Sequence, residues 1–468
     1  MRNSKVVSLE EAIRRSGLKD GQTISFHHHF RGGDKVVNMV VDKLAQMGFK
    51  DLKLAASSLS DVHKPLIEHI KNGVITGIST SGLRGELADA ISHGLLAEPV
   101  VFRSHGGRGS AIAKGELRID VAFLGASSAD ELGNATGHGE KSVCGSLGYA
   151  LPDARYAKHV VVLTDDLVEY PNMPQSISAA DVESVVVVES VGDSSKISSG
   201  AIRDSKNPRD ILLAKQAAKV IINSGYFKDG FSIQTGTGGA SLAAVKYIRE
   251  EMIARGIKAS FALGGITAHM VKLHEEGLIG KLLDVHSFDK VAAESIHNDP
   301  LHQEVSAVEY ASGEHLGSAT HALDIVILSA LEVDTQFNVN VLVGSDGIIR
   351  GAIGGHQDTA ADSALSIIVC PLLRGRIPCV VPKVTTLITP GKSVDVVVTE
   401  YGIAVNPARP EIAEKLKEAG LKVVDIKDLA AKASSIIGTP DPLPFGDKVV
   451  GVVMNRDGSV LDKIYNIK

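Results

Sequence analysis

The chain has 468 residues, more than a single hydrophobic core usually organises, so its length predicts two domains. Hydrophobic residues make up 44% and charged residues 22%, which is ordinary globular usage, and the net charge of −6 argues against nucleic acid as a partner. No apolar run approaches the roughly 18 residues of a membrane span, and residues 1–15 lack the apolar segment of a secretory signal, so we expect a cytoplasmic protein.

An internal repeat begins with the first predicted strand. Residues 20–24 (DGQTI) reappear as residues 229–233 (DGFSI), an offset of 209. In both copies a glycine-bearing loop follows, and then an apolar pattern at helical spacing. Its members are Val36, Val37, Val40, Val41 and Leu44 in the first copy, and Leu242, Val245, Ile248, Met252 and Ile253 in the second.

The ends of these two helices carry recognisable signals. Asp34 and Ser241 are the predicted N-caps, because their side-chain oxygens can accept a free backbone N–H. Gly48 and Gly256 lie near the predicted carboxyl ends, where glycine commonly terminates a helix.

The repeat continues farther along the chain. Residues 72–75 parallel 276–279, and residues 120–126 (DVAFLGA) parallel 324–330 (DIVILSA), both at an offset of 204. The residues Asp130 and Asn134 match Asp334 and Asn338 in turn. Because the offset drifts by only five residues over more than a hundred, the sequence indicates a duplication.

Short β-branched runs alternate with amphipathic helices, which predicts the α/β class with two duplicated domains and mainly parallel sheets. The polar stretch between about 188 and 207 is the predicted junction, giving domains 1–195 and 196–468. Ligands of open α/β sheets bind at the carboxyl ends of strands. We therefore expect a cleft where such ends of the two domains face each other.

Three glycine-bearing loops, residues 27–34, 235–239 and 351–358, follow predicted strands or precede predicted helices. None has the spacing of a Walker loop or a dinucleotide fingerprint. Free N–H groups at such helix starts attract anions. The alternative is that the glycines only permit tight turns.

The first loop contains three consecutive histidines, of which His27 and His29 would face one side of an extended segment and His28 the other. Only two could share an ion and no carboxylate lies at ligand spacing, so we predict no metal site. Arg31 favours an acidic substrate, because guanidinium binds carboxylate as a two-pronged donor. Cys144, Cys370 and Cys379 also lack metal spacing and suit a reducing compartment.

A further candidate anion site is the segment 104–109 (SHGGRG), which combines a possible nest of N–H groups with the cation Arg108. The competing interpretation is an exposed arginine on a turn.

Several long strings give the chain a resemblance to the citrate lyase α chain family. They are SFHHHFRGGD, SHGGRGSAI, QTGTGGASLA, FALGGIT, DVHSFD and GGHQD. GGHQD and VTEYG also resemble the wider coenzyme A transferase superfamily, whose members have two related α/β domains. The similarity extends from about residue 20 to the turn at 457–458.

The resemblance implies a transfer in which acetyl-carrier protein and citrate give citryl-carrier protein and acetate, with acetyl-coenzyme A as an expected alternative donor. The thioester belongs to the carrier's prosthetic group or to coenzyme A, so no covalent cofactor is expected on this chain. The implied partners are an acyl carrier protein (γ) subunit and a citryl lyase (β) subunit in an oligomer.

The same resemblance implies roles for particular residues. Gly354 and Gly355 are expected to present backbone N–H groups to the oxyanion. His28, Arg31 and Arg108 are expected to hold citrate carboxylates. The other expected substrate contacts are Gly32, Gly238, Gly239, Ser287, Asp289 and His356.

One departure from the superfamily concerns its nucleophilic glutamate, since the comparable segment 285–289 reads VHSFD. Direct attack by citrate, without an acyl-enzyme, fits this sequence. The alternative is a glutamate-dependent acyl-coenzyme A transferase or hydrolase using Glu294 or Glu400, although Glu294 is predicted on a solvated helix face and Glu400 in a structural role. A non-catalytic sensor on a similar fold is the third reading.

Overall fold

The computed structural model describes residues 4–198, 207–236 and 238–468. Its α-helices, in chain order, are α1 (Leu9–Ser16), α2 (Val36–Gln46), α3 (Leu66–Lys71), α4 (Gly85–Ser92), α5 (His105–Ala113), α6 (Leu151–Tyr156), α7 (Pro208–Asn223), α8 (Gly239–Arg255), α9 (Ala268–Glu275), α10 (Lys290–Asn298), α11 (Ala307–Ala311), α12 (His356–Asp362), α13 (Pro410–Glu418) and α14 (Ile426–Ile437).

The strands, in the same order, are β1 (Thr23–Phe26), β2 (Leu52–Ala56), β3 (Ile75–Thr80), β4 (Val100–Phe102), β5 (Val121–Ala126), β6 (Ser128–Asp130), β7 (Ala135–Thr136), β8 (His159–Thr164), β9 (Leu167–Val168), β10 (Ser184–Val187), β11 (Ser232–Thr235), β12 (Ala259–Ile266), β13 (Ile279–Ser287), β14 (His302–Glu304), β15 (Ile325–Ser329), β16 (Glu332–Asp334), β17 (Val339–Asn340), β18 (Leu365–Val369), β19 (Leu373–Arg374), β20 (Ile377–Pro378), β21 (Val380–Val381), β22 (Val396–Thr399), β23 (Gly402–Val405), β24 (Val423–Val424), β25 (Phe445–Met454) and β26 (Val460–Ile467).

Two nine-stranded sheets organise the described chain. The first has the order β10-β8-β5-β1-β2-β3-β4-β25-β26 and the second β14-β13-β12-β11-β15-β18-β22-β23-β24. Their strands are parallel except for the hairpins β25–β26 and β22–β23. Central strands such as β5 and β18 are buried at every position, as expected for continuous apolar runs covered on both faces. The predicted α/β class with mainly parallel sheets is confirmed.

Matching strand registers support the duplication. Ile24 pairs with Val121 between β1 and β5, and Ile233 pairs with Ile325 between β11 and β15. The two pairs are related by the offsets 209 and 204 of the sequence repeat. The short strands β6 and β16 repeat too, and each ends in an aspartate whose carboxylate accepts the side-chain N–H of the asparagine four residues later.

The predicted ends of the two matching helices are partly right. Helix α8 ends at Gly256 in the left-handed region, as predicted. Its predicted N-cap Ser241 is wrong, since the helix starts at Gly239 and Gly238 is the N-cap. Lys35 rather than Asp34 is the N-cap of α2, yet the Asp34 carboxylate still accepts the Val37 N–H at 3.2 Å.

The C-terminal hairpin β25–β26 joins the first sheet, where Gly451 of β25 pairs with Val100 of β4. Segment 445–467 therefore returns from the second half of the chain to complete the first sheet. The division into domains 1–195 and 196–468 stays a prediction, with this hairpin as a link between the two halves. Within the described residues, no helix is long and apolar enough to cross a membrane.

Candidate active site

A cavity of about 930 Å³ lies where the carboxyl ends of strands from both sheets meet. From the first sheet, the segments after β1 and β3 contribute His28 and Ser81. From the second, Gln234 lies near the end of β11, His286 near the end of β13, and Ser329 ends β15. This is the position that the strand-end rule predicts for a ligand.

The three histidines after β1 divide between the cavity and the protein interior. His28 lines the cavity, and its Nδ1 lies 2.6 Å from the Ser57 hydroxyl. His27 and His29 are buried away from the lining, with ring centroids 4.0 Å apart. The predicted opposite orientation is confirmed, and among the described residues no His, Cys, Asp and Glu cluster is arranged to hold a metal.

Further aromatic rings surround His28. The Tyr149 ring lies 5.2 Å from the His28 ring and 4.1 Å from the His105 ring, and His286 meets His28 edge to face at 4.9 Å. Burial lowers the pKa of His28 and His286 well below the usual range, and nearby Arg31 lowers both further. Burial also lowers the pKa of His105 to about 3. These imidazoles are therefore neutral near pH 7 and can donate or accept hydrogen bonds in the cavity.

Arg31 and Arg84 place two guanidinium groups beside this neutral wall. Arg31 has a φ of 50°, in the left-handed region, and its guanidinium lies 4.4 Å from the centre of the Phe288 ring. Burial and the charge of Arg84 lower the pKa of Arg31 to about 10, so it stays charged at neutral pH. The charge of Asp61 acts on Arg84, but in the described chain neither guanidinium lies at ion-pair distance from a carboxylate. Both are available to an anion in the cavity.

The loop before α12 forms another part of the lining. Gly354 has a φ of 57°, which favours glycine, and its carbonyl accepts the His105 N–H at 2.9 Å. In the described part of the chain, neither the Gly354 nor the Gly355 N–H donates a hydrogen bond. A Cβ at Gly355 would clash with the hydroxyl of Tyr310. The loop thus exposes two backbone donors, with no room for a side chain at Gly355 and a backbone conformation that favours glycine at Gly354.

His356 and Gly32, both predicted substrate contacts, also line the cavity. The Nδ1 of His356 lies 2.7 Å from the Thr389 hydroxyl, and its Nε2 lies 3.1 Å from the Ser329 carbonyl. Both ring nitrogens therefore have protein partners, so the side chain of His356 holds the loop in place and has no free nitrogen for a ligand.

Arg108 lies in α5, outside the lining, and is only 3% exposed. Its guanidinium forms two hydrogen bonds with the Asp153 carboxylate, at 2.7 and 2.8 Å. The sequence predicted either an anion nest or an exposed turn for Arg108. Both are wrong, because the guanidinium is buried and paired with Asp153. Contact with a substrate carboxylate would require the pair to separate, leaving a buried charge unpaired.

The remaining predicted contacts also lie outside the lining. The Ser287 hydroxyl donates to Asp284 at 2.6 Å, and Asp289 caps α10 through the Ala292 N–H at 2.9 Å. Gly238 and Gly239 begin α8, while Thr237 between the two falls outside the described residues.

Sequence reasoning missed Arg84, Tyr149, Tyr310 and Gln234. The available signal for Arg84 was its position after β3 in the string SGLRGE, the strand-to-helix position in which the 27–34 loop was recognised. Gln234 is the first residue of the string QTGTGGASLA, but no local pattern marks its side chain as part of a site. The two tyrosines lie in none of the recognised strings, and the packing of distant segments brings all three side chains together.

The glutamates of the alternative mechanism lie elsewhere. Glu294 is exposed on α10 beside Lys290, as predicted, and Glu400 accepts the Leu372 N–H at 2.8 Å. No glutamate is among the described lining residues, and the lining carboxylate is the exposed Asp61.

The chain is similar in sequence to known proteins over nearly its full length. The family model "Citrate lyase, alpha subunit (CitF)" matches residues 3–467. The citrate lyase alpha chain of Escherichia coli (strain K12) is 61% identical, over 98% of this chain and 90% of that protein. The Klebsiella pneumoniae citrate lyase alpha chain is 59% identical, over 98% and 91%.

Solved structures agree with the sequence comparisons. A Streptococcus mutans structure, described as the alpha subunit of citrate lyase in complex with citrate, superposes with a TM-score of 0.98 at 55% identity, covering 100% of this chain and 92% of that chain. The alpha subunit of a malonate decarboxylase from Acinetobacter baumannii shares the fold, with a TM-score of 0.68 at 15% identity over 93% of each chain. With residues 3–467 matched by the family model, this chain belongs to the citrate lyase alpha subunit family.

Proposed function

We propose that this chain transfers an acyl-carrier thioester from acetate to citrate, so that acetyl-carrier protein and citrate give citryl-carrier protein and acetate. Acetyl-coenzyme A is the expected alternative donor. One observation carries the proposal: the guanidinium groups of Arg31 and Arg84 share a cavity with the free N–H groups of Gly354 and Gly355. Family membership and the relative solved with citrate support the choice of acid.

The chemistry consists of two acyl transfers. A citrate carboxylate attacks the acetyl thioester carbonyl, and collapse of the tetrahedral oxyanion breaks the C–S bond, releasing a thiolate and leaving a mixed anhydride. The thiolate then attacks the citryl carbonyl of that anhydride, and acetate leaves. No net proton is consumed, so the demand on the protein is to stabilise two oxyanions and hold the partners together.

The cavity meets both demands with groups that are already in place. The N–H groups of Gly354 and Gly355 would donate to the developing oxyanion, and losing one such donor typically costs about 2.7–4 kcal/mol of barrier. Arg31 and Arg84 would hold the citrate carboxylates that do not react. Fixing two reactants next to each other can contribute about 7–11 kcal/mol through proximity.

Direct attack is supported over a covalent glutamate route. Glu294 is exposed to solvent, and Glu400 is engaged by a backbone N–H outside the cavity lining. A nucleophilic carboxylate must reach the thioester carbonyl and be freed of water. Citrate supplies its own carboxylates, so the substrate can take the role that the superfamily assigns to glutamate.

In this proposal the thioester remains on the prosthetic group of an acyl carrier protein (γ) subunit or on coenzyme A, and this chain carries no covalent cofactor. A citryl lyase (β) subunit would then cleave the citryl thioester, within a cytoplasmic oligomer.

A transfer assay tests the proposed reaction. The purified chain is mixed with acetyl-carrier protein or acetyl-coenzyme A, and with citrate or citramalate in parallel. We expect acetate and a citryl thioester in equal amounts, measured by mass spectrometry. Acetate release at the same rate without any acceptor acid would instead identify a thioester hydrolase.

A further inference from the structure

We infer that the hydroxyl of Tyr310, oriented by the side chain of Gln234, is a third donor to the oxyanion beside the N–H groups of Gly354 and Gly355. This inference rests on the proposed transfer reaction, since it assigns a catalytic residue to that reaction. Tyr310 lies in no recognised string, and the string QTGTGGASLA that begins with Gln234 does not indicate a role for its side chain.

The Tyr310 hydroxyl lies in the cavity, directly against Gly355. Tyr310 lines the cavity, and its hydroxyl occupies the space into which a Cβ of Gly355 would project. Gly355 therefore brings its backbone into contact with the phenol. A carbonyl oxygen that accepts from the Gly355 N–H would therefore lie close enough to accept from this hydroxyl too.

The hydrogen bond between Gln234 and Tyr310 leaves the phenol proton available. The Nε2 of Gln234 donates to the Tyr310 oxygen at 2.8 Å. A phenol has one proton, and because its oxygen already accepts from Gln234, that proton is free for another acceptor. Burial raises the pKa of Tyr310, so the phenol keeps its proton at any pH of an assay.

Tyr310 and Gln234 are both held in place by the elements around them. Tyr310 lies on α11, which starts with a capping box between Ser306 and Glu309. Just after α11, Ser312 receives a hydrogen bond from Ser110 of α5 at 2.8 Å. Gln234 lies on β11 in the centre of the second sheet and packs against Gly264, where a Cβ would clash with the amide. A donor fixed in this way needs little reorganisation as the oxyanion forms.

Two substitutions test the assignment in the full-length chain. Tyr310→Phe removes the donor, and Gln234→Glu supplies an acceptor that would draw the phenol proton away from the cavity. We expect each to lower kcat by about 10²–10³. For Tyr310→Phe, which adds no charge, the citrate KM and the thermal midpoint should stay nearly unchanged. The double variant should be no slower than Tyr310→Phe, because both changes remove the same interaction.

Tyr226→Phe is the matched control. Its hydroxyl accepts from Arg409 at 2.7 Å, outside the cavity, so the same loss of a phenolic oxygen should leave kcat unchanged. If Tyr310→Phe folds poorly, Gln234→Glu alone decides the question.

Retention of more than half the wild-type kcat in folded Tyr310→Phe or Gln234→Glu would overturn the inference. A rise in citrate KM with normal kcat would also overturn it, because that pattern belongs to a ground-state contact. A wild-type chain that forms no citryl thioester would instead refute the proposed function, so the two failures are distinguishable.

Discussion

Gly354 and Gly355 can be tested by adding a single methyl group. Gly354→Ala and Gly355→Ala should each lower transfer by about 10² or more, because the new Cβ would disturb the loop or meet the Tyr310 hydroxyl. The change is measured as kcat, with the thermal midpoint as a check on folding.

Gly17→Ala is a control for the backbone strain. Gly17 has a φ of 61°, close to the 57° of Gly354, and a Cβ there meets no atom within 4 Å. Both substitutions should therefore cost similar stability, about 1–2 kcal/mol. Equal activity in the Gly17 and Gly354 variants would show that the loop contributes nothing specific to the chemistry.

Arg31 can be tested by a substitution that keeps its charge. Arg31→Lys loses the planar two-pronged donor, so citrate binding should weaken by about 1.5–3 kcal/mol, measured by calorimetry. Arg103→Lys is the control, since Arg103 is mostly buried and bonded to Ser79 outside the cavity. An unchanged citrate Kd in a folded Arg31 variant would remove Arg31 from the proposed site.

Local sequence could identify some site residues and not others. Arg31 and Gly355 lie in unusual glycine-bearing strings, and the structure places both in the cavity lining. Arg108 lies in a similar string, but α5 directs it inward to Asp153, a partner 45 residues away that no local pattern reveals. Tyr310 was missed for the same reason, since only packing brings it to Gly355.

At the scale of elements, the loop between β1 and α2 predicts a pH response. Burial lowers the pKa of His27 to about 4 and that of His28 and His29 well below the ordinary value. A histidine in the unfolded chain binds a proton below pH 6.5, whereas these three do not. Their contribution to stability is therefore present above pH 6.5 and is lost as pH falls, by about 2 kcal/mol at pH 5 for His27.

The measurement is urea unfolding at pH 7 and pH 5. His29→Asn should clearly reduce the difference in unfolding free energy between the two pH values, whatever its effect at pH 7, because burial lowers the pKa of His29 well below that of an unfolded histidine. His315→Asn, which changes an exposed histidine, should leave the difference unaltered. Buried Asp358 opposes the trend because its pKa is raised to about 6, but the His29 comparison cancels that contribution. An identical pH difference in His29→Asn and wild type would contradict the burial argument.

Repeat analysis anticipated the elements better than their partners. The offsets 209 and 204 correctly matched β1 with β11 and β5 with β15 as equivalent strands of the two sheets, because apolar periodicity is a local property. The pairing of β25 with β4 could not be read in the same way. Nothing in residues 445–454 indicates a partner strand more than 300 positions earlier. The pairing arises because β4 offers an edge of the first sheet to which β25 can add.

At the scale of the whole molecule, the C-terminal hairpin helps to hold the halves together around the cavity. Arg456, at its turn, forms hydrogen bonds with Asp362 at 2.6 and 2.7 Å and lies 3.4 Å from Asp358. Asp358 in turn accepts from Ser104 and from the Gly106 N–H at the start of α5. This network connects α12, α5 and the hairpin, and so fixes the Gly354–Gly355 loop relative to the first sheet.

In the proposed reaction citrate attacks the thioester directly, and no acyl-enzyme forms. The most direct test mixes the full chain with acetyl-carrier protein or acetyl-coenzyme A without citrate, records the intact mass, and probes with hydroxylamine and borohydride. We predict an unmodified chain, and formation of acetate and citryl thioester only after citrate is added. An acetyl or thioester adduct mapped to Asp61, Asp289, Glu294 or Glu400 would contradict direct attack.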